Sequence, residues 1–124
     1  MQHLVFIAAG GATGALMRYW MSSGIHAVLG RGFPYGTLSV NVLGSFLMGL
    51  LYIHLFERLE LSEEWRGLLS IGLLGAFTTF STFSIETLNL IEAGKASEAG
   101  LNVFLNVALC LVACWLGLVL ARQL

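Results

Sequence analysis

Four long apolar stretches follow one another along the chain, separated by short polar or glycine-containing segments. They cover residues 4–29, 38–56, 67–91 and 99–121. A helix needs about 20 residues to cross the hydrocarbon core of a bilayer, and each stretch is close to or above that length. The pattern predicts an all-α integral membrane protein with a single domain, residues 1–124, and four transmembrane helices.

The segments between the stretches carry turn and capping signals. Residues 30–36 contain three glycines and the only proline of the chain, Pro34, which is typical of a turn. Ser62 precedes two glutamates, so its hydroxyl is expected to cap a helix whose positive dipole end faces the acids. The third connection, residues 92–98, contains Gly94. The loops between the spans are therefore expected to be short.

Composition agrees with a membrane protein. Hydrophobic residues make up 57% of the chain and charged residues 10%, whereas a soluble domain has about 25% charged residues. The net charge of −1 argues against a nucleic-acid partner. His3, His26 and His54 are scattered near the ends of the spans and form no nucleophile–base pair or metal-ligand cluster, so we do not expect an enzyme.

The two cysteines, Cys110 and Cys114, are one helical turn apart. Adjacent turns of one helix aim the side chains poorly for a disulfide. A metal site built on both thiols lacks a nearby histidine or carboxylate. Both cysteines are therefore expected to serve as small, polarizable packing residues.

Basic residues are distributed almost evenly between the two ends of the spans. With four spans, three of them fall on one side and two or three on the other: Arg58, Arg66 and Arg122 against Arg31 and Lys95, with Arg18 near the second side. The positive-inside rule therefore gives almost no orientational bias. A chain that inserts both ways predicts an antiparallel homodimer with its two-fold axis in the membrane plane. The alternative is that a chaperone or the N-terminal amine fixes one orientation.

Small residues recur at a spacing of four on several spans. They are Gly10 and Gly14, Ser45 and Gly49, and Ala113 and Gly117. Pairs of this kind allow membrane helices to approach closely. We expect them at helix–helix contacts.

Polar side chains follow one face of the second span and one face of the fourth. Residues four apart share a helix face, and the two sets are Thr37, Asn41 and Ser45, and Asn102, Asn106 and Cys110. Bare amides are costly in hydrocarbon, so these faces are expected to meet protein or water. Interhelical hydrogen bonding and a polar pathway are both consistent with this pattern.

Residues 75–84, near the middle of the third span, combine five hydroxyl side chains with three phenylalanines spaced three apart. Hydroxyls and ring edges offer hydrogen-bond donors and weak positive charge without a formal charge, which suits a pathway for a small anion. Gly72 and Gly75 weaken the helix here, and the hydroxyls compete for backbone bonds. The third helix is therefore expected to break near its middle, where freed carbonyls need partners such as a bound cation.

Two charged residues lie within apolar stretches. Arg18 lies on the first span and Glu86 on the third. Arg18 either extends its stem to the membrane surface or draws anions toward a vestibule. Glu86 is expected to reach water near the end of its span.

The run Gly-Ala-Phe-Thr-Thr-Phe-Ser-Thr-Phe-Ser of residues 75–84 resembles the Fluc family of small dual-topology fluoride channels. Gly36-Thr37-Leu38 with Asn41, and the glycine-rich start of the first span with Arg18, extend the resemblance over essentially the whole chain. It implies an antiparallel homodimer with two pores that exports fluoride passively across the cell inner membrane. It also implies a central sodium ion, structural and not transported, held by the main-chain carbonyls of Gly75 and Thr78.

The resemblance further implies an anion pathway. Phe80 and Phe83 would line it through their ring edges, Asn41 would contribute a donor, and Asn106 and Cys110 would continue it, where the family commonly has hydroxyls. The remaining expected pathway residues are Thr37, Ser81, Thr82 and Arg18.

Two other classes of protein compete with this interpretation. A small dual-topology multidrug transporter needs a carboxylate near the membrane midplane, but the first span has none and Glu86 lies toward a span end. A non-transporting membrane assembly subunit would use the small-residue faces but would leave the polar faces without a purpose.

Overall fold

A computed structural model describes all 124 residues, and every regular element in it is helical. The α-helices are α1 Gln2–Leu29, α2 Tyr35–Tyr52, α3 Glu63–Arg66, α4 Gly75–Phe77, α5 Phe80–Glu92 and α6 Ala96–Gln123. A π-helical segment, Ile53–Glu57, extends α2, and a second one, Gly67–Leu74, joins α3 to α4.

Three helical segments are long and apolar enough to cross a membrane. They are Tyr35–Glu57, Glu63–Glu92 and Ala96–Gln123, with mean hydropathies of 1.7, 1.6 and 2.6. We call Glu63–Glu92 the third span. With 28 residues, α1 is also long enough to cross a membrane. It is the least apolar of the four long segments. The prediction of an all-helical, multi-pass membrane protein is confirmed.

The connections follow the local sequence signals. Ser62 precedes α3, and its hydroxyl accepts a hydrogen bond from the Trp65 N–H at 3.5 Å, as predicted. Gly30 and Gly94 have φ of 85° and 80°, a left-handed conformation that glycine adopts without a steric penalty. These two glycines therefore allow the short turns after α1 and α5.

α1 packs closely against the first half of the third span, and glycines make the approach possible. A Cβ atom placed on Gly10 would overlap the carbonyl oxygen of Leu68, and one placed on Gly14 would overlap that of Leu73. Because backbone meets backbone here, a substituted side chain has no flexible neighbour to displace. Gly10 and Gly14 of α1 therefore lie at a helix–helix contact, as predicted.

α2 and α6 form the other close pair. A Cβ atom on Gly49 would overlap the carbonyl oxygen of Cys114, and one on Gly117 would overlap that of Phe46. The expected small-residue contacts of these two spans are thus present as well. Cys110 and Cys114 are both free thiols, in agreement with a packing role.

The second half of the third span, α5, contacts α6 and, less extensively, α2, and its remaining face is open to the outside of the single chain. Phe80 has 78% of its surface exposed, and Ile85, Leu88 and Ile91 are also exposed. Apolar surface of this kind is stable against lipid or against protein, but not in water. The groove described below lies between α2, α5 and α6, beside this open face.

Candidate functional site

The helical conformation of the third span is interrupted at Thr78 and Thr79. Both are extended, with φ/ψ of −88°/160° and −152°/119°, between the end of α4 and the start of α5. The Thr79 hydroxyl accepts a hydrogen bond from the Thr82 N–H at 3.2 Å, which caps the new helix in the way that threonine favours. α5 therefore starts afresh in the middle of the span.

Asn41 on α2 holds these extended residues in place. Its Nδ2 donates to the Thr79 carbonyl at 3.1 Å, while its Oδ1 accepts from the Thr79 N–H at 2.8 Å. One side chain thus satisfies both backbone groups of Thr79. Since unpaired backbone groups inside a membrane cost several kcal/mol, Asn41 stabilises the interruption of the helix.

A groove of about 370 Å³ opens beside Asn41. It is lined by Asn41, Ser45, Thr78, Thr79, Phe80, Phe83, Asn106, Val107, Cys110 and Leu111. None of these side chains carries a formal charge when the cysteine is a thiol. The groove therefore combines neutral polar groups with aromatic and aliphatic walls.

Phe80 and Phe83 lie together on the first turn of α5. Their ring centroids are 5.2 Å apart and the ring planes are tilted by 53°. Phe83 is buried, with 8% of its surface exposed, whereas Phe80 is exposed. A tilted pair presents the edge of one ring beside the other, and ring edges carry partial positive charge.

The amides of α2 and α6 are hydrogen-bonded to one another. Asn41 Nδ2 donates to Asn106 Oδ1 at 3.1 Å, and Asn106 Nδ2 donates to the carbonyl and Oδ1 of Asn102 at 2.9 and 3.0 Å. Both Nδ2 hydrogens of Asn41 therefore have protein acceptors. The polar faces predicted on the second and fourth spans meet at this point.

Of the nine residues expected on the anion pathway from the family resemblance, five line the groove: Asn41, Phe80, Phe83, Asn106 and Cys110. Two more lie close by, because the Thr79 hydroxyl is 3.3 Å from the Ser81 hydroxyl and 3.1 Å from that of Thr82. Ser45, Val107 and Leu111 also line the groove. The four-residue spacing with Asn41 signals Ser45, but no signal marks the two aliphatic residues.

Thr37 and Arg18 lie away from the groove. Thr37 is buried in the first turn of α2, one turn before Asn41. Arg18 Nε donates to the Ala76 carbonyl at 3.0 Å. Since α4 ends at Phe77, this carbonyl is at a helix C-terminus, where a cation is favoured. Arg18 therefore caps the first half of the third span.

The carbonyls of Gly75 and Thr78 lack the amide partners that a continuous helix would supply. The N–H four residues after Gly75 belongs to Thr79 and points to Asn41, and the N–H four residues after Thr78 belongs to Thr82 and points to the Thr79 hydroxyl. Carbonyl oxygens freed in this way are suitable ligands for a hard cation. The donor set fits the sodium site expected at these two residues.

Residues 5–118 match the model of a protein family described as CrcB-like protein, Camphor Resistance (CrcB). The chain belongs to this CrcB-like family. Its relatives include the fluoride-specific ion channel FluC of Magnetococcus marinus, which is 54% identical over 119 residues, covering 96% of this chain and 97% of the relative. The protein of that name from Geobacter sulfurreducens is 50% identical over 124 residues, covering all of both chains.

The FluC of Methylococcus capsulatus is 56% identical over 121 residues, which is 98% of this chain. This CrcB-like chain spans about half, 53%, of that relative's length. It spans almost the whole length of the other two relatives.

A second cavity of this CrcB-like chain, of about 340 Å³, lies by the connections at the far end of α5. Its lining includes three basic side chains, His26, Arg31 and Lys95, together with Glu86. His26 Nε2 accepts a hydrogen bond from the Gly36 N–H at 3.1 Å, which fixes the ring against the start of α2. Glu86 lines this cavity near a span end. Its Oε1 is buried without a hydrogen-bond partner, so the carboxylate does not reach water as freely as the sequence suggested.

Proposed function

We propose that this chain forms a fluoride-specific channel that lets fluoride leave the cell passively across the inner membrane. The observation that carries the proposal is the neutral polar groove at the interruption of the third span, in a chain whose full-length relatives are named fluoride-specific ion channels. A channel changes no covalent bond, so the proposal requires no catalytic residue.

The chemistry of the groove suits fluoride, which is small and only accepts hydrogen bonds. An anion that sheds part of its water needs donors in exchange, and donors that are too strong would prevent it from leaving. The ring edges of Phe80 and Phe83, with Ser45 and Cys110 opposite, provide weak neutral contacts. Ser81 and Thr82 would extend this polar surface from the Thr79 side.

Asn41 has a more restricted role in such a path. Both of its Nδ2 hydrogens are bonded, one to Thr79 and one to Asn106. Direct donation from Asn41 to fluoride requires the release of one of these bonds. The groove wall formed by Asn41 and Asn106 therefore acts first as a support for the geometry of the path.

We propose that the assembly is an antiparallel homodimer. In each copy α1 also crosses the membrane, which gives four spans in total. The near-even distribution of basic residues supports insertion in both orientations. The exposed apolar face of α5, including Phe80, supports burial against a second copy. A two-fold axis in the membrane plane would then place the two interrupted spans near each other.

A structural sodium ion at that axis would be held by the carbonyls of Gly75 and Thr78 from both copies. The loss of their helical amide partners supports this site. The bound ion would satisfy main-chain oxygens that lack their helical amide partners at this depth. The transported ion would be fluoride and not sodium.

Efflux from liposomes that contain the purified protein tests the function. Vesicles loaded with potassium fluoride and given a potassium ionophore should lose fluoride rapidly, whereas vesicles loaded with potassium chloride should retain chloride. A matched control uses the same vesicles without protein. Equal release of both halides, or release no faster than in the control, would contradict the proposal.

A further inference from the structure

Four hydrogen bonds leave the third span at Thr79 and return to it at Thr87, and a fifth joins Thr87 to Phe83 within α5. Thr79 N–H donates to Asn41 at 2.8 Å, Asn41 donates to Asn106 at 3.1 Å, and Asn106 donates to Asn102 Oδ1 at 3.0 Å. Asn102 Nδ2 then donates to Thr87 Oγ1 at 2.9 Å, and the Thr87 hydroxyl donates to the Phe83 carbonyl at 2.7 Å. We call this series, from Thr79 through α2 and α6 to Phe83, the amide relay.

The direction of every bond in the amide relay follows from its first member. The Thr79 backbone offers one donor and one acceptor to Asn41, so only one orientation of that amide satisfies both. Asn41 must then donate to Asn106, which leaves Asn106 to donate to Asn102. Asn102 consequently donates to Thr87, whose only proton goes to Phe83.

The interior of the amide relay is shielded from solvent and lipid. Asn102 has 1% of its surface exposed, Asn106 6% and Thr87 9%. In a buried site a missing partner costs more than the bond itself is worth, because the remaining group stays desolvated. Asn102 and Thr87 do not line the groove, so packing of an anion gives no reason for their polarity.

We infer that Asn102 and Thr87 are positioning residues that set the rotation of the first turn of α5 and with it the Phe83 ring. The amide relay ties Thr79 to α2 and Thr87, one turn after Phe83, to α6. Because the start of α5 is held at these two points, the hydrogen bonds of the relay resist rotation of the first turn relative to the groove. The inference rests on the proposed function, since it concerns a ring that lines the proposed path. It also explains why Asn41 and Asn106 line the groove although their Nδ2 hydrogens are already bonded to protein acceptors.

Thr87→Val tests the inference, because valine keeps the shape of threonine and removes its hydroxyl. The Asn102 amide then loses its acceptor, and the Phe83 carbonyl loses the hydroxyl but keeps the N–H of residue 87 in α5. In proteoliposomes, fluoride efflux should fall by about tenfold or more, because the net free energy of one buried hydrogen bond corresponds to a factor of about ten. The preference for fluoride over chloride should fall as well. Thr87→Ser keeps the hydroxyl and should retain efflux within about twofold, because the relay survives.

A second variant separates positioning from simple stability. In Thr87→Val combined with Asn102→Leu both members of that bond become apolar, which restores stability when shapes match. Asn106 Nδ2 loses the Asn102 Oδ1 but keeps its bond to the main-chain carbonyl of residue 102. This double variant should form dimers as the unaltered chain does, yet still conduct poorly. Thr13→Val is the matched control, since it removes a hydroxyl-to-carbonyl bond of the same kind, at 2.9 Å, on the exposed face of α1. It should leave efflux unchanged.

The outcomes separate the two proposals. If dimeric Thr87→Val or the double variant conducts fluoride with unaltered rate and selectivity, while the unaltered chain conducts, the positioning role is wrong and the channel stands. If the unaltered chain itself conducts no fluoride, the channel proposal fails and the inference fails with it.

Discussion

The two halves of the third span are held by different forces. The first half, Gly67–Phe77, packs on α1 through backbone contacts at Gly10 and Gly14. The second half, α5, is tied to α2 through Thr79, the residue that precedes it, and to α6 through Thr87. The first half therefore depends on small residues that permit close backbone packing, and the second half depends on hydrogen-bonded side chains.

This contrast explains where the groove lies. Close backbone packing leaves no room for a ligand, so the first half is a fixed support. Hydrogen-bonded side chains keep α5 at a distance from α2 that leaves the groove open between them. The following substitutions break one half or the other and are ordered by the size of the expected effect.

Gly14→Ala should have the largest effect. Its Cβ atom would overlap the backbone carbonyl of Leu73, which cannot move without the helix. Overpacking costs about 1–3 kcal/mol and occasionally more. Because the overlap here is with a main-chain oxygen, we expect a cost above that range and above the total for the next variant. The yield of folded protein and its melting temperature in detergent should both fall. Gly11→Ala is the control, because nothing lies within 4 Å of a Cβ atom there. Equal behaviour of the two variants would contradict the packing account of the first half.

Asn41→Leu should have the next largest effect. It leaves the Thr79 N–H and carbonyl without their partners, at about 1–3 kcal/mol for each unsatisfied group. We expect a lower melting temperature and a strong loss of fluoride efflux. Ser39→Ala serves as the control on the same helix, since the Ser39 hydroxyl bonds only to the Tyr35 carbonyl on an exposed face. If Asn41→Leu matches that control, Asn41 does not support the interruption.

Removal of sodium should have an intermediate effect on the junction between the halves. The carbonyls of Gly75 and Thr78 need a partner that their helix does not supply. Purification in N-methylglucamine chloride should therefore lower the melting temperature and the fraction of dimer, and added sodium should restore both. An identical dimer with identical efflux in the absence of sodium would exclude a structural ion.

Thr78→Ser should have the smallest effect. Serine keeps the main-chain carbonyl and the hydroxyl that donates to the Leu74 carbonyl at 3.1 Å. It loses only the methyl group that packs against Gly44. Efflux should stay within about threefold of the unaltered chain, as expected for the loss of a single methyl contact. A complete loss of efflux would mean that the Thr78 side chain, and not its carbonyl, is the functional group.

Much of the fold follows from local sequence signals. The turn glycine Gly94, the capping residue Ser62 and the pair Gly10 and Gly14 each act through backbone geometry that a short motif encodes. The meeting of Asn41 with Asn106 also follows, because buried amides on two helices need each other as partners.

The remaining features depend on how the helices are rotated and stacked. Thr37 shares a face with Asn41, but it lies one turn closer to the loop and misses the groove. Arg18 is drawn to the Ala76 carbonyl because a helix ends there. The bond between Asn102 and Thr87 joins residues fifteen apart on two helices, and spacing within either helix cannot reveal it.

The central claim is that an anion passes the ring edges of Phe80 and Phe83. The most direct measurement compares fluoride efflux from proteoliposomes that contain the unaltered chain, Phe80→Ile or Phe83→Ile, each verified as an intact dimer. Isoleucine fills space but has no polarised edge, and apolar exchanges of this kind usually cost under about 1.5 kcal/mol of stability. We predict that both variants assemble but lose most fluoride efflux. Near-normal efflux from both dimeric variants would place the rings outside the path and contradict the account.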